Sequence, residues 1–151
     1  MKKLFFIGFA TLAMGAATLT SCSKYEEGPS LSLSSKKSRL AGHWTLTSRT
    51  MSGQSTMLQG YSEQLHIEKD GAFKDTAYQS FQGFNYSAPI EGTWRFSDDK
   101  MQLILTSNTS ASSSNFSSGD NNFDIIKLSK DELKLKRSSG SSVIISIYTA
   151  Q

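Results

Sequence analysis

The sequence predicts an all-β fold, an antiparallel barrel or sandwich of about eight short strands. Three observations carry that prediction. Apolar and polar residues alternate through most of the chain beyond residue 42, the period of a strand with one buried face. No segment longer than a turn or two carries the period of an amphipathic helix. Turn-forming clusters recur between the alternating runs at hairpin spacing. Closing such strands into an up-and-down barrel removes exposed edges, a hazard for any secreted β protein.

The first strand is expected over Gly42 to Ser48, with Trp44 and Leu46 on one face. Gln64 to Glu68 alternates without exception, and Lys69-Asp70-Gly71 then makes a tight turn, because Asp-Gly accommodates positive φ. Ala72 to Tyr78 returns as its partner. Ile90, Gly92, Trp94 and Phe96 share the face of the next strand, Ser97 to Lys100 turn the chain, and Met101, Leu103 and Leu105 resume the pattern. Phe123 to Leu128, Glu132 to Arg137 and Val143 to Tyr148 complete the set, the last two joined through Ser138 to Ser141. Ser52 to Ser62 and Thr106 to Asn122 lack strand signal and read as long loops, the second with one exposed-looking aromatic, Phe116.

The chain has 151 residues, enough for one domain, with a single Cys and two His. One Cys excludes an internal disulfide framework and a Cys-based zinc site. The formal charge of +3 falls to about +1 if Lys2 and Lys3 are removed with a leader, leaving 14 basic against 13 acidic residues. Such a balance gives no support to nucleic-acid binding. Residues 1–21 form that leader: a basic pair, then the uncharged run Leu4 to Ala17, too short for a comfortable membrane span. It ends in Leu19-Thr20-Ser21-Cys22, which resembles the lipobox of bacterial lipoproteins. The resemblance implies cleavage before Cys22, a diacylglycerol on its thiol and a further acyl chain such as palmitate on its amine. Two or more chains are what stable attachment needs. Ser23, in place of the Asp of inner-membrane retention, implies the outer membrane. Lys24-Tyr25-Glu26-Glu27 is similar to the short export signals of surface lipoproteins, so the expected location is the periplasmic face or the cell surface. Residues 22–37 read as a flexible tether and 38–151 as the domain.

Leu40-Ala41-Gly42-His43-Trp44-Thr45-Leu46 resembles the opening Gly-x-Trp strand of lipocalin-like domains, and Gly92-Thr93-Trp94 repeats the signature. Leu65 to Phe73 and Ile126 to Leu135 supply similar hairpins between and after them. Together with the lipobox, this order is similar to that of lipocalin-like lipoproteins of Bacteroidota-type bacteria. The resemblance implies a calycin-type barrel and no catalytic activity. The chain is short for such a domain and shows no C-terminal helix, which argues against a large cavity.

Candidate binding residues are Trp44, Tyr78, Phe81, Phe84, Tyr86, Trp94 and Phe96. The two tryptophans either line a cavity or pack at a closed end, eased by Gly42 and Gly92. The aromatics from Tyr78 to Phe96 are dense and interspersed with Gln and Asn, a composition suited to a contact surface or to filling a small barrel. His43 and His66 lack a third ligand at metal-site spacing, so neither a metal nor another cofactor is expected. No nucleophile–base set, paired carboxylates or phosphate loop appears. Asp75-Thr76-Ala77 resembles a bacterial O-glycosylation sequon, which would modify Thr76. The resulting expectation is a lipid-anchored, non-enzymatic envelope protein that binds a small apolar or amphipathic ligand. The alternative is a filled-barrel interaction module, serving an envelope protein as accessory subunit or inhibitor.

Overall fold

The computed structural model describes residues 25–28, 33–107, 109 and 116–151. Its strands are β1 Gly42–Met51, β2 Gln54–Ser55, β3 Tyr61–Ile67, β4 Ala72–Phe81, β5 Phe84–Phe96, β6 Gln102–Ser107, β7 Gly119–Leu128, β8 Glu132–Ser139 and β9 Ser142–Ala150. They form one antiparallel sheet in which consecutive strands pair, the two-residue β2 lying outside β1. β1 also pairs with β9, from Trp44 against Ala150 to Met51 against Ile144. This seam closes the sheet into an up-and-down barrel of eight strands plus the β2 flap, and so excludes the sandwich.

Strand direction sorts the connections into two ends. The open end carries the β1–β3 loop, the Gln82-Gly83 turn, the β6–β7 connection and the Gly140-Ser141 turn. At Gln82 and Gly83 both φ angles are positive, 49° and 83°, as a two-residue hairpin requires. The closed end carries the other three turns. Each is tied by a side chain: Asp70 accepts from the Ala72 amide, Asp99 from the Met101 amide, and the Ser129 hydroxyl from the Glu132 amide.

A short helix, α1 Lys36–Leu40, closes that end. Ser35 caps it by accepting from the Ser38 amide at 3.1 Å. Its buried Leu40 offers a carbonyl to the Trp44 indole N–H at 2.8 Å, and the Trp94 indole donates to the Glu68 carbonyl at 2.7 Å. Two parts of the span read as a tether, around Tyr25 and the start of the helix, lie against the barrel. Tyr25 is buried, donates to the Lys100 carbonyl at 2.9 Å, and has a Lys36 ammonium over its ring. Burial pushes its phenol up to about 12, so it remains a donor at ordinary pH. Glu27 pairs with Lys134 at 2.7 Å. Neither Tyr25 nor Leu40 has a sequence period, because each is a single apolar residue among mostly polar ones, buried only by tertiary contact. The leader and Cys22 lie outside the described residues.

The inner face is lined by Trp44, Leu46, Leu65, Ile67, Phe73, Ile90, Trp94, Leu103, Leu105, Phe123, Ile125, Leu128, Leu133, Leu135 and Tyr148, all buried in one cluster. Of the two Gly-x-Trp glycines, Gly92 permits a close approach. A Cβ there would overlap the Thr106 carbonyl oxygen and lie 2.9 Å from the Phe73 ring, whereas one on Gly42 would meet nothing within 4 Å. Phe116, expected on the surface, is buried, with ring centroids 6.0 Å from Phe73 and 5.8 Å from Phe123. Gly92→Ala should destabilise the barrel by about 1–3 kcal/mol, the usual range for overpacking, read as a lower midpoint in urea with an unchanged slope.

Candidate functional site

Between Leu46 and Ser48 the β1–β9 register slips. This bulge switches the phase of β1, so Trp44 and Leu46 point inward, then Arg49 does. Glu63 on β3 and Asp75 on β4 point inward without irregularity, in phase with Leu65 and Phe73. All three are buried.

Arg49 and Glu63 form a bidentate pair, Nη1 to Oε2 at 2.8 Å and Nη2 to Oε1 at 2.7 Å. Tyr61 donates to Oε2 at 2.5 Å and accepts from Nη1 at 3.3 Å. Tyr148 donates to Oε1 at 2.7 Å and accepts from Nη2 at 3.2 Å. Nε donates to the Ser146 hydroxyl at 3.0 Å. Every N–H of the guanidinium and both lone pairs of each carboxylate oxygen are thereby used. The network is complete and offers nothing to a ligand. Burial pushes the Glu63 carboxyl up, but the bonds and charge of Arg49, with the two tyrosine hydroxyls, outweigh it and hold the group below the usual carboxylate range.

Asp75 is left out. Neither carboxyl oxygen has a hydrogen-bond partner. Burial, reinforced by the Glu63 charge and only partly offset by Arg49, pushes its carboxyl well above the usual carboxylate range.

Phe116 turns in beside this network. Among the described residues, Arg49, Phe116, Phe123, Leu135, Arg137, Ile144, Ser146 and Tyr148 enclose a gap of about 10 Å³, no more than one water requires. A larger cavity of about 170 Å³ opens at the rim between the β1–β3 loop and β9. Met51, Thr56, Met57, Leu58, Tyr61 and Ile144 line it, with Arg49 as its floor.

The seven expected binding aromatics fall at opposite ends. Trp44 and Trp94 are buried at the closed end and Phe96 packs edge-on against Trp94 at 5.4 Å. Tyr78, Phe81, Phe84 and Tyr86 are exposed at the open end. Thr76 lies half-buried on the outer face of β4, between the inward Asp75 and Ala77. His43 and His66 stack across β1 and β3 at 3.9 Å on the outer face, and no group of three metal-ligating side chains occurs among the described residues.

The polar network was missed in the sequence because alternation from Trp44 places Arg49 outside. Glu63 and Asp75 had a signal, being charged residues in phase with apolar neighbours.

A closed eight-strand barrel, one end capped by a helix and two tryptophans and the other open, defines a class of binding folds. Residues 40–135 match the model of the lipocalin-like domain, more than half of the chain, and the protein belongs to that family. A lipocalin-like protein from Bacteroides uniformis is similar in structure, with a TM-score of 0.53, 18% identity, and coverage of 75% of this chain and 99% of that one. Bovine odorant-binding protein in complex with undecanal aligns with a TM-score of 0.48 at 12% identity, covering 80% of this chain and 77% of its own. No curated protein sequence matches this chain.

Arg49→Met should cost about 3–5 kcal/mol, because it strands the buried Glu63 charge, and the double variant Arg49→Met/Glu63→Leu should recover most of that loss. Denaturant titration of the two variants beside the parent protein measures it. Asp75 imposes a pH dependence of its own. Its folded-state pKa lies above the unfolded value, so the native state binds more protons and the Asp75 contribution to stability falls as pH rises above about 4. Glu63, shifted down, acts oppositely and withdraws its contribution only as pH falls below its unfolded value. Asp75→Asn should therefore flatten the alkaline side of the stability profile and leave the acid side in place, measured as thermal midpoints from pH 3 to 9.

Proposed function

We propose that the protein is an outer-membrane lipoprotein, held by acyl chains on Cys22 at the periplasmic face or cell surface, whose barrel binds a small amphipathic molecule without catalysing its conversion. The leader and lipobox support the anchor, and the family supports binding. The observation that carries the ligand reading is the rim cavity, with apolar walls from Met51, Met57, Leu58 and Ile144, the Tyr61 ring, and a polar edge at Thr56. Pockets of this kind combine apolar lining with a few polar groups. Because side chains fill the interior beneath it, the ligand is small and sits at the mouth.

The same filling favours a second reading, a protein-interaction module that uses the barrel as a rigid scaffold. Native mass spectrometry of the lipidated protein, extracted gently from its own envelope, separates the two. A retained small mass that survives removal of Cys22 and its lipids supports the carrier, and a protein-sized adduct alone supports the module. On the carrier reading, the fluorescence of N-phenyl-1-naphthylamine should rise on binding, and Met57→Asp should weaken that binding at least tenfold with little change in the unfolding midpoint. An undiminished response in Met57→Asp would remove the rim cavity as the site.

A further inference from the structure

Charge is distributed unequally between the two ends. Residues 50–62, 76–90, 101–119 and 138–151 contain no Asp, Glu, Lys or Arg, and these stretches include all four connections of the open end. The turns of the closed end carry Glu68, Lys69, Asp70, Asp98, Asp99, Lys100, Lys130, Asp131 and Glu132. Near the mouth, Arg137 stands 5.7 Å from the Phe123 ring on the inner wall.

The uncharged end also carries the largest exposed aromatics. Phe81 is 66%, Phe84 81% and Tyr86 62% exposed. In the β4–β5 register Phe81 faces Phe84 and Gln79 faces Tyr86, so these four share the face that continues Ala77 and Ala88 from the barrel interior. The hairpin thus overhangs the mouth with three rings on one side. Each of the three rings is more than half exposed. Gln79 shares the ring side, its Nε2 donating to the Gln59 and Ser80 carbonyls, Gln82 occupies the turn, and Ser80, Asn85 and Ser87 face the other side of the hairpin. Above Gly92, β5 pairs with β4 but not with β6.

We propose that this overhanging hairpin is a docking surface for a neutral polysaccharide. Aromatic faces suit the C–H faces of sugar rings, and the amides of Gln79 and Gln82 suit their hydroxyl groups. The absence of ionised side chains discriminates among occupants. Anionic lipid surfaces and nucleic acids are recognised through Lys and Arg, which are missing here, and uronic-acid polymers would likewise find no counter-charge. A large uncharged aromatic patch on a protein is a mark of a binding surface. The surface is separate from the rim cavity, so the two assignments stand or fall independently.

The test is affinity electrophoresis of the lipidated protein, in a polyoxyethylene detergent, through gels containing dextran, laminarin, galactomannan or polygalacturonate. At least one neutral polysaccharide should retard the protein. Phe84→Ala/Tyr86→Ala should weaken that retardation at least tenfold with an unchanged unfolding midpoint, since both side chains are exposed, and Met57→Asp should leave it intact. Failure of all three neutral polymers to retard the protein would overturn the proposal. So would equal retardation by polygalacturonate, or retardation that persists in the double variant.

Discussion

One irregularity in the β1–β9 seam determines what the barrel holds. With regular alternation from Trp44, Ser48 and Thr50 would face inward and Arg49 would face solvent. The bulge reverses this, and a guanidinium enters the interior. Once inside, it requires a carboxylate, and Glu63 is held in front of it by β3. The pair in turn requires further partners, which Tyr61, Tyr148 and Ser146 supply from β3 and β9. A layer that a ligand would otherwise occupy becomes a satisfied polar network, and Phe116 fills most of what remains. The interior is filled, and the larger cavity lies at the rim.

Asp75 departs from that economy. Its neighbours on β3 and β5 are Leu65 and Ile90, neither able to bond it, while the nearby carboxylate is already saturated. The chain retains an acid that favours protonation at the centre of its core. The chain therefore tolerates a stability cost that a Leu at the same position would avoid, and the pH profile should make it visible.

Much of the fold was legible, for a physical reason: each strand has one wet face. Leu65 and Ile67, Phe73 and Ala77, Leu133 and Leu135 report that directly through alternation, and Asp70-Gly71 marks its hairpin through backbone geometry. The uncharged aromatic run from Tyr78 to Tyr86 was equally plain. The remainder depends on contacts between distant residues. Arg49 is placed by a bulge that shifts the phase, and Phe116 lies in a Ser-rich stretch with no period at all. Tyr25 and Leu40 are buried by the barrel end that covers them. Closure of β1 onto β9 joins residues about a hundred positions apart, which no local pattern records.

The docking of Tyr25 limits how the molecule can stand on a membrane. Three peptide steps separate it from Cys22, and a fully extended chain covers at most about 11 Å over that distance. With acyl chains on Cys22, the capped, charge-rich end would rest within a headgroup's depth of the bilayer. Such a short stem would leave the barrel little reach away from the lipid beyond its own length.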